Sequence, residues 1–233
     1  MDLLLRYGAD IHMKSWKGVV ALHCAAKSGN NITNQLLLAH GADDRALDNN
    51  LNAMLHYATQ NHYNGKASIE LYLNRNANID QQNSAGETPL HTAAKYADIE
   101  SNRFLLTHGA KPDILDNISK TALHKATKNR DHGDETVELY LSQDFDLEAK
   151  DSDGWTPLCH AVVSGNHHDI LRLLSHGADM FVRTNEKLTF GQIAHQRLSK
   201  EKIKWISRTF CKEGGEFTED EDEYLTDDDE YTT

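Results

Sequence analysis

The sequence predicts an all-α solenoid of stacked helix–turn–helix units joined by short hairpin-like finger turns. Three observations carry this reading. Leu22-His23, Leu55-His56, Leu90-His91 and Leu123-His124 recur at spacings of 33, 35 and 33 residues, and Leu158-Cys159 follows 35 later. Self-similarity at a period of about 20–50 residues marks an architecture of stacked repeats. Each pair also sits in one longer frame, fullest in Gly86-Glu87-Thr88-Pro89-Leu90-His91-Thr92-Ala93-Ala94, then Phe104-Leu105-Leu106, then His108-Gly109-Ala110. Finally, a second period overlies the first: residues 48–80 match residues 116–148 at a distance of 68, as Leu90 matches Leu158. The array reads as a duplicated two-repeat unit forming one elongated domain.

Each element has a local cause. Thr88-Pro89 opens the first helix of its repeat. Thr suits an N-cap, and Pro is tolerated at the first helical position because its missing N–H would have no partner there. Leu90, Ala93 and Ala94 keep the inner face narrow, so that neighbouring repeats approach closely. Phe104-Leu105-Leu106 forms the apolar stripe of the second helix. Gly109 ends that helix, where a positive φ is required. Asp48, Asn83, Asp116 and Asp151 suit the finger turns that follow. The even copies carry two extra residues between their helices, near Asn61–Lys66 and Asn129–Asp134, and replace the terminating Gly with Asn76 and Asp144.

These phrases resemble the ankyrin repeat, whose signature is Thr-Pro-Leu-His-x-Ala in a unit of about 33 residues. On that resemblance, residues 1–14 are a partial first repeat. Residues 15–183 hold five repeats (15–47, 48–82, 83–115, 116–150 and 151–183). Residues 184–212 are a degenerate repeat with a capping helix, read over Arg197 to Phe210, and 213–233 form an acidic disordered tail. Leu3, Leu4 and Leu5 begin the chain without an inner-helix partner. A terminal repeat needs a polar cap, so further repeats upstream are expected.

Charge is unevenly placed. The net of −12 is concentrated in residues 213–233, with 11 acids and no base, leaving 25 acids against 24 bases elsewhere. The array has no basic stripe of the kind that binds nucleic acid. The tail is too charged to form a core. Its spaced Phe217, Tyr224, Leu225 and Tyr231 suit docking on a basic partner, and Thr218 and Thr226 have acids following them. The three cysteines (24, 159 and 211) show no paired spacing, and no secretory signal or membrane-length apolar run is present. An intracellular, reducing setting is expected: cytoplasm, nucleus, or a host cytosol for an exported microbial protein.

Fourteen histidines raise the question of metal or catalysis. The recurrent His23, His56, His91 and His124 are spread along the stack and cannot converge on one ion. The resemblance gives them a structural bond to the turns of adjacent repeats. His40, His108 and His176 recur at the second helix's C-terminus, where the helix dipole favours a cation. His167-His168-Asp169 is the one dense cluster, but adjacent side chains on a helix diverge by about 100°. No nucleophile elbow, phosphate loop or zinc-binding His-Glu-x-x-His is present. The sequence calls for no enzyme activity, metal or cofactor, and for a monomer.

The resemblance implies that partners meet the finger turns and the exposed positions of the first helices, the concave face. Those positions include Trp16, Lys17, Tyr57, Tyr96, Ile118, Lys120, Lys125, Trp155 and His160, with Asn61, Lys128 and Ser164 among their neighbours. Trp and Tyr dominate interface energetics, so the aromatics are the expected anchors. Replacing Trp16 and Trp155 with Ala is expected to weaken binding with the fold intact. The implied function is a protein–protein interaction module acting without nucleic acid or membrane. Two alternatives stand beside it: a masking or inhibitory subunit using the acidic tail, and the targeting portion of a larger effector or enzyme.

Overall fold

A computed structural model describes residues 7–96, 99–128, 133–143 and 145–212. The Leu3–Leu5 stretch, Asn129, Asp144, the Cys211 side chain and the acidic tail lie outside the described residues. The chain divides into two compact units, Met1–Asn117 and Ile118–Thr233.

The first unit contains α1 (Ala21–Ser28), α2 (Asn31–Ala39), α3 (Met54–Ala58), α4 (Gly65–Leu73), α5 (Pro89–Tyr96) and α6 (Ile99–Thr107). First helices pack on first helices, α1 on α3 and α3 on α5, and second helices on second helices, α2 on α4 and α4 on α6. Leu22, Leu37, Met54, Leu55, Ile69, Tyr72, Leu90 and Leu105 are fully buried between them. The buried Asn34 bridges two second helices. Its Nδ2 donates to Ser68 Oγ at 3.3 Å, and its Oδ1 accepts from Tyr72 OH at 3.1 Å.

The second unit contains α7 (Ala122–Ala126), α8 (Gly133–Leu141), α9 (Pro157–Ser164), α10 (His167–Ser175), α11 (Phe190–Arg197) and α12 (Lys200–Lys212). The same pairing holds, α7 on α9 on α11 and α8 on α10 on α12. The last helix begins three residues later than its composition predicts. Leu198 closes α11 with extended backbone, and Ser199 Oγ accepts the Lys202 N–H at 3.4 Å, so α12 starts at Lys200. No strand occurs among the described residues.

The expected Thr cap is made at Thr88 and is missing at Thr156: Thr88 Oγ1 accepts the His91 N–H at 3.4 Å, whereas Thr156 accepts no cap bond. The recurrent feature is the histidine. Nδ1 of His23, His56, His91 and His124 accepts the backbone N–H three residues earlier, from Val20, Ala53, Thr88 and Thr121, at 3.1–3.2 Å. That fixes the proton on Nε2. His56 Nε2 then donates to Glu87 O at 2.9 Å and His124 Nε2 to Trp155 O at 3.1 Å, each in the next repeat. Burial holds the pKa of His23 and His56 below the ordinary value, which keeps the neutral tautomer that these bonds need.

Helix ends follow local rules. Gly109 has φ +89° and Asn76 has φ +60°. His40, His108 and His176 bring Nδ1 to the carbonyl four residues back, at 2.8–3.2 Å. The extra residues of the second repeat shorten its first helix to five residues, against eight in α1 and α5.

Candidate partner-binding surface

The finger turns are built by one acceptor. Asp48 Oδ1 accepts the N–H of Asn50 and Asn52, both at 2.8 Å; Asn83 Oδ1 accepts from Ala85 and Glu87; Asp151 Oδ1 accepts from Asp153 and Trp155. A side chain that folds the turn around its own oxygen sets the finger's shape. The second oxygen reaches the first helix. Tyr57 OH donates to Asp48 Oδ2 at 2.7 Å, and His160 Nε2 meets Asp151 Oδ2 at 2.7 Å. Tyr and His at equivalent positions therefore do the same work. Burial opposes ionisation of both carboxyls, but the donated hydrogen bonds outweigh it and hold both below the ordinary carboxylate value. Burial drives His160 the other way, down to about 4.

Neighbouring fingers are tied in an alternating manner. Asn49 N–H donates to Lys17 O at 2.9 Å and its Nδ2 to Trp16 O at 3.0 Å. Asn117 repeats this on Ala85 O and Ser84 O, and Asn185 on Asp153 O and Ser152 O. At the other junctions a serine takes this place: Ser84 N–H donates to Asn50 O and Ser152 N–H to Ile118 O. The turn residue beneath each Asn is glycine. A Cβ on Gly86 would lie 2.5 Å from Asn117 Oδ1 and 2.7 Å from its backbone N. Beneath the serines, Leu51 and Ser119 adopt positive φ instead. The two-repeat period of the sequence is thus a packing period of the fingers.

On this frame the expected contact residues separate. In the first unit, Trp16 is 85% exposed with Lys17 Nζ 4.7 Å above its ring, and Tyr96 is 43% exposed with Lys95 Nζ 4.6 Å away. Tyr57 is half-buried, bonded to Asp48 and packed 4.7 Å from the His23 ring. In the second unit, Ile118 is 47% exposed. Trp155 is half-buried, with its ring 5.6 Å from that of His160. Lys120 Nζ lies 3.6 Å from Asp151 Oδ2, and Lys125 is half-buried.

Two expectations about exposure are corrected. His160 is 5% exposed, because Asp151 and the Trp155 ring cover it. Asn61 is 3% exposed: its Nδ2 donates to Ala26 O and Gly29 O, and its Oδ1 accepts from Tyr63 and Asn64. It fastens the widened turn of its repeat to the repeat before. Cys24 is exposed and Cys159 buried. Sequence reasoning assigned Asp48 and Asp151 to the turns and missed their bond to the first helix. The signal was a Tyr or His nine residues after the Asp.

No group of three His, Cys, Asp or Glu is placed to hold a metal among the described residues. His167 and His168 both turn toward the Trp205 ring, at 5.1 and 6.1 Å. No described helix is long and apolar enough to cross a membrane.

The comparison with known families decides the assignment. The profile described as "Ankyrin repeats (3 copies)" matches residues 1–69, 63–151 and 104–184. The chain belongs to the ankyrin-repeat family. It is 31% identical to mouse inversin over 169 residues, 71% of this chain and 16% of inversin, and it matches human inversin to the same extent. It is 35% identical to the mouse B-cell lymphoma 3 protein homolog over 104 residues, 44% of this chain and 23% of that protein. A putative ankyrin repeat protein of fowlpox virus is 32% identical over 143 residues, 59% of this chain and 40% of the viral protein. The chain thus spans less than a fifth of the inversins it matches. Ankyrin repeats are in general protein–protein interaction modules.

Proposed function

We propose that this chain is a non-enzymatic module that binds a partner protein through its finger tips and the exposed positions of its first helices, in an intracellular setting. The observation that carries this reading is Trp16. Its side chain is 85% exposed at a finger tip, where only its backbone carbonyl serves the fold. A large aromatic that packing does not use is the kind of residue that becomes an interface anchor. Tyr96 is a further candidate of the same type, and the exposed Ile118 an aliphatic one. Trp155 is a weaker one, because it also covers His160.

The test is affinity capture from a cell lysate with the full chain and with Trp16→Ala, followed by a titration with the protein retained. Loss of an anchor of about 2 kcal/mol or more weakens binding about thirtyfold. Helicity and urea midpoint should stay at the parent values. Parent-like affinity in Trp16→Ala would remove the anchor from the proposal.

A second reading is favoured by the relatives. In the inversins the matched region is 16% of a longer protein, which suits a targeting portion whose partner surface serves other domains. A masking subunit acting through the acidic tail rests on the tail's charge alone.

A further inference from the structure

One helix carries the positive charge of the array. Lys200–Lys212 (α12) holds five bases against one acid, whereas residues 1–199 hold 19 bases against 24 acids. Its inner side is apolar: Ile206 is buried and Ile203 half-buried where α12 packs on α10 and α11. At about 100° per residue, Lys204, Trp205 and Arg208 lie on the opposite side, with Glu201 as the one acid among them. Lys202 flanks that side, and all five residues are exposed. Lys202, Lys204 and Arg208 form no ion pair among the described residues. A cap that had only to meet water would be served by polar groups of either sign. This face presents three cations against one carboxylate.

An aromatic corner adjoins the cations. Trp205 is 40% exposed, and the rings of His167 and His168 meet it edge-on at 5.1 and 6.1 Å. His168 is itself exposed, and His167 Nδ1 lies 3.2 Å from Gly165 O. The corner therefore offers ring surface beside charge, the combination that an aromatic side chain carried among acids would meet.

We propose that the outward face of α12, with the Trp205 corner, is a docking surface for an acidic strand bearing an aromatic side chain, and that its resident occupant is this chain's own residues 216–223. Where that segment starts and what it carries make the choice. The 21 residues after Lys212 hold 11 acids and no base. Acids just past a helix C-terminus stand at the unfavourable end of its dipole. The cationic side of the same helix is the nearest place that favours them. Gly214-Gly215 supplies the reversal, since glycine reaches the backbone conformations that a tight return needs. Length then fits. The 13 residues of α12 rise about 20 Å, and eight extended residues cover about 26 Å. Running antiparallel from the helix end, residues 216–223 bring six carboxylates past Arg208, Lys204 and Lys202. Phe217 is the one large apolar residue of 213–223. It comes within a side chain's reach of Trp205, whose Cα stands about 10 Å back along the helix from that of Lys212. Tail and face are thereby competing ligands: whatever binds one must displace the other. The inference is independent of the anchor role of Trp16.

Glu-specific proteolysis of the full chain tests the charged contact. In Lys204→Gln/Arg208→Gln, the bonds after Glu219, Glu221 and Glu223 should be cut roughly two- to tenfold faster than in the parent at low salt. That factor follows from an effective concentration of about 1 mM for a tethered segment against a dissociation constant of about 0.1–1 mM. Lys14→Gln/Lys27→Gln removes the same charge from exposed positions of the first unit and should leave the rate at the parent value. The difference should vanish in 0.5 M salt. Equal rates in the parent and the α12 variant, or equal acceleration by both variants, would overturn the proposal.

A second readout leaves the folded array unaltered. The full chain is labelled with 5-fluorotryptophan at its three tryptophans, whose resonances are assigned with the single variants Trp16→Phe, Trp155→Phe and Trp205→Phe. In fluorine-19 NMR, Phe217→Ala should shift the Trp205 resonance and leave those of Trp16 and Trp155 in place. An unmoved Trp205 resonance overturns the proposal. So does a parent Trp205 resonance that moves with protein concentration, which would assign the face to the tail of a second copy.

Discussion

Replacing Gly86 with alanine separates two demands that the finger turn makes on one residue. Gly86 has φ +75°, and a Cβ there would meet Asn117 Oδ1 at 2.5 Å and Asn117 N at 2.7 Å. Gly109 has φ +89° with nothing within 4 Å of an added Cβ. Gly109→Ala therefore measures backbone strain alone. The left-handed region costs a non-glycine residue about 1–2 kcal/mol, and the stiffer unfolded chain returns about 0.4–1 kcal/mol. A net loss of about 0.5–1 kcal/mol is expected. Gly86→Ala adds an overpacked contact, typically about 1–3 kcal/mol. The clash also loosens the Asn117 bonds to Ala85 O and Ser84 O, both 2.9 Å, worth about 1 kcal/mol each at most. A total of about 2–4 kcal/mol follows. The assay is urea unfolding followed by helical circular dichroism, compared at constant slope. Asn117→Ser supplies the rescue, because serine occupies the corresponding place at residues 84 and 152, over turns that carry a Cβ. Gly86→Ala should cost at least 1 kcal/mol less in the Asn117→Ser background. Equal losses for Gly86→Ala and Gly109→Ala, within about 0.5 kcal/mol, would refute the contact argument and leave strain as the whole effect.

Two further predictions concern side chains whose neighbours lie in another turn or another repeat. His160, held at about 4 against an ordinary 6.5, binds its proton more readily in the unfolded chain. Its contribution to stability is therefore complete above pH 6.5 and is lost as pH falls toward about 4. In His160→Tyr the phenol should keep the bond to Asp151 as Tyr57 keeps its bond to Asp48. The urea midpoint should then fall less steeply over that window; an unchanged slope would show that His160 does not report it. Asp48 and Asp151, both lowered from 3.8, act further down, as pH falls below that value. Asn61→Ala removes four hydrogen bonds and strands the carbonyls of Ala26 and Gly29 beneath a buried site. A loss of about 2–4 kcal/mol is expected in urea unfolding. A loss below about 0.5 kcal/mol would mean that water replaces the amide without penalty.

The sequence by itself determined the repeat, its phase and most helix ends, because those depend on short-range backbone demands. A positive φ at Gly109 or Asn76 and a ring of donors around Asp48 or Asp151 are local requirements. They leave the same mark in every copy, and so the family was legible before any contact was known. Exposure was not legible, because it is decided by residues that come from elsewhere in the fold. Asn61 is covered by backbone 32 and 35 residues away, and His160 by a carboxylate nine residues earlier, in the preceding finger. A repeat fixes where a side chain starts; the neighbouring turn decides whether it meets solvent, a carbonyl or another charge. Only the tertiary structure brings those two chains of cause together.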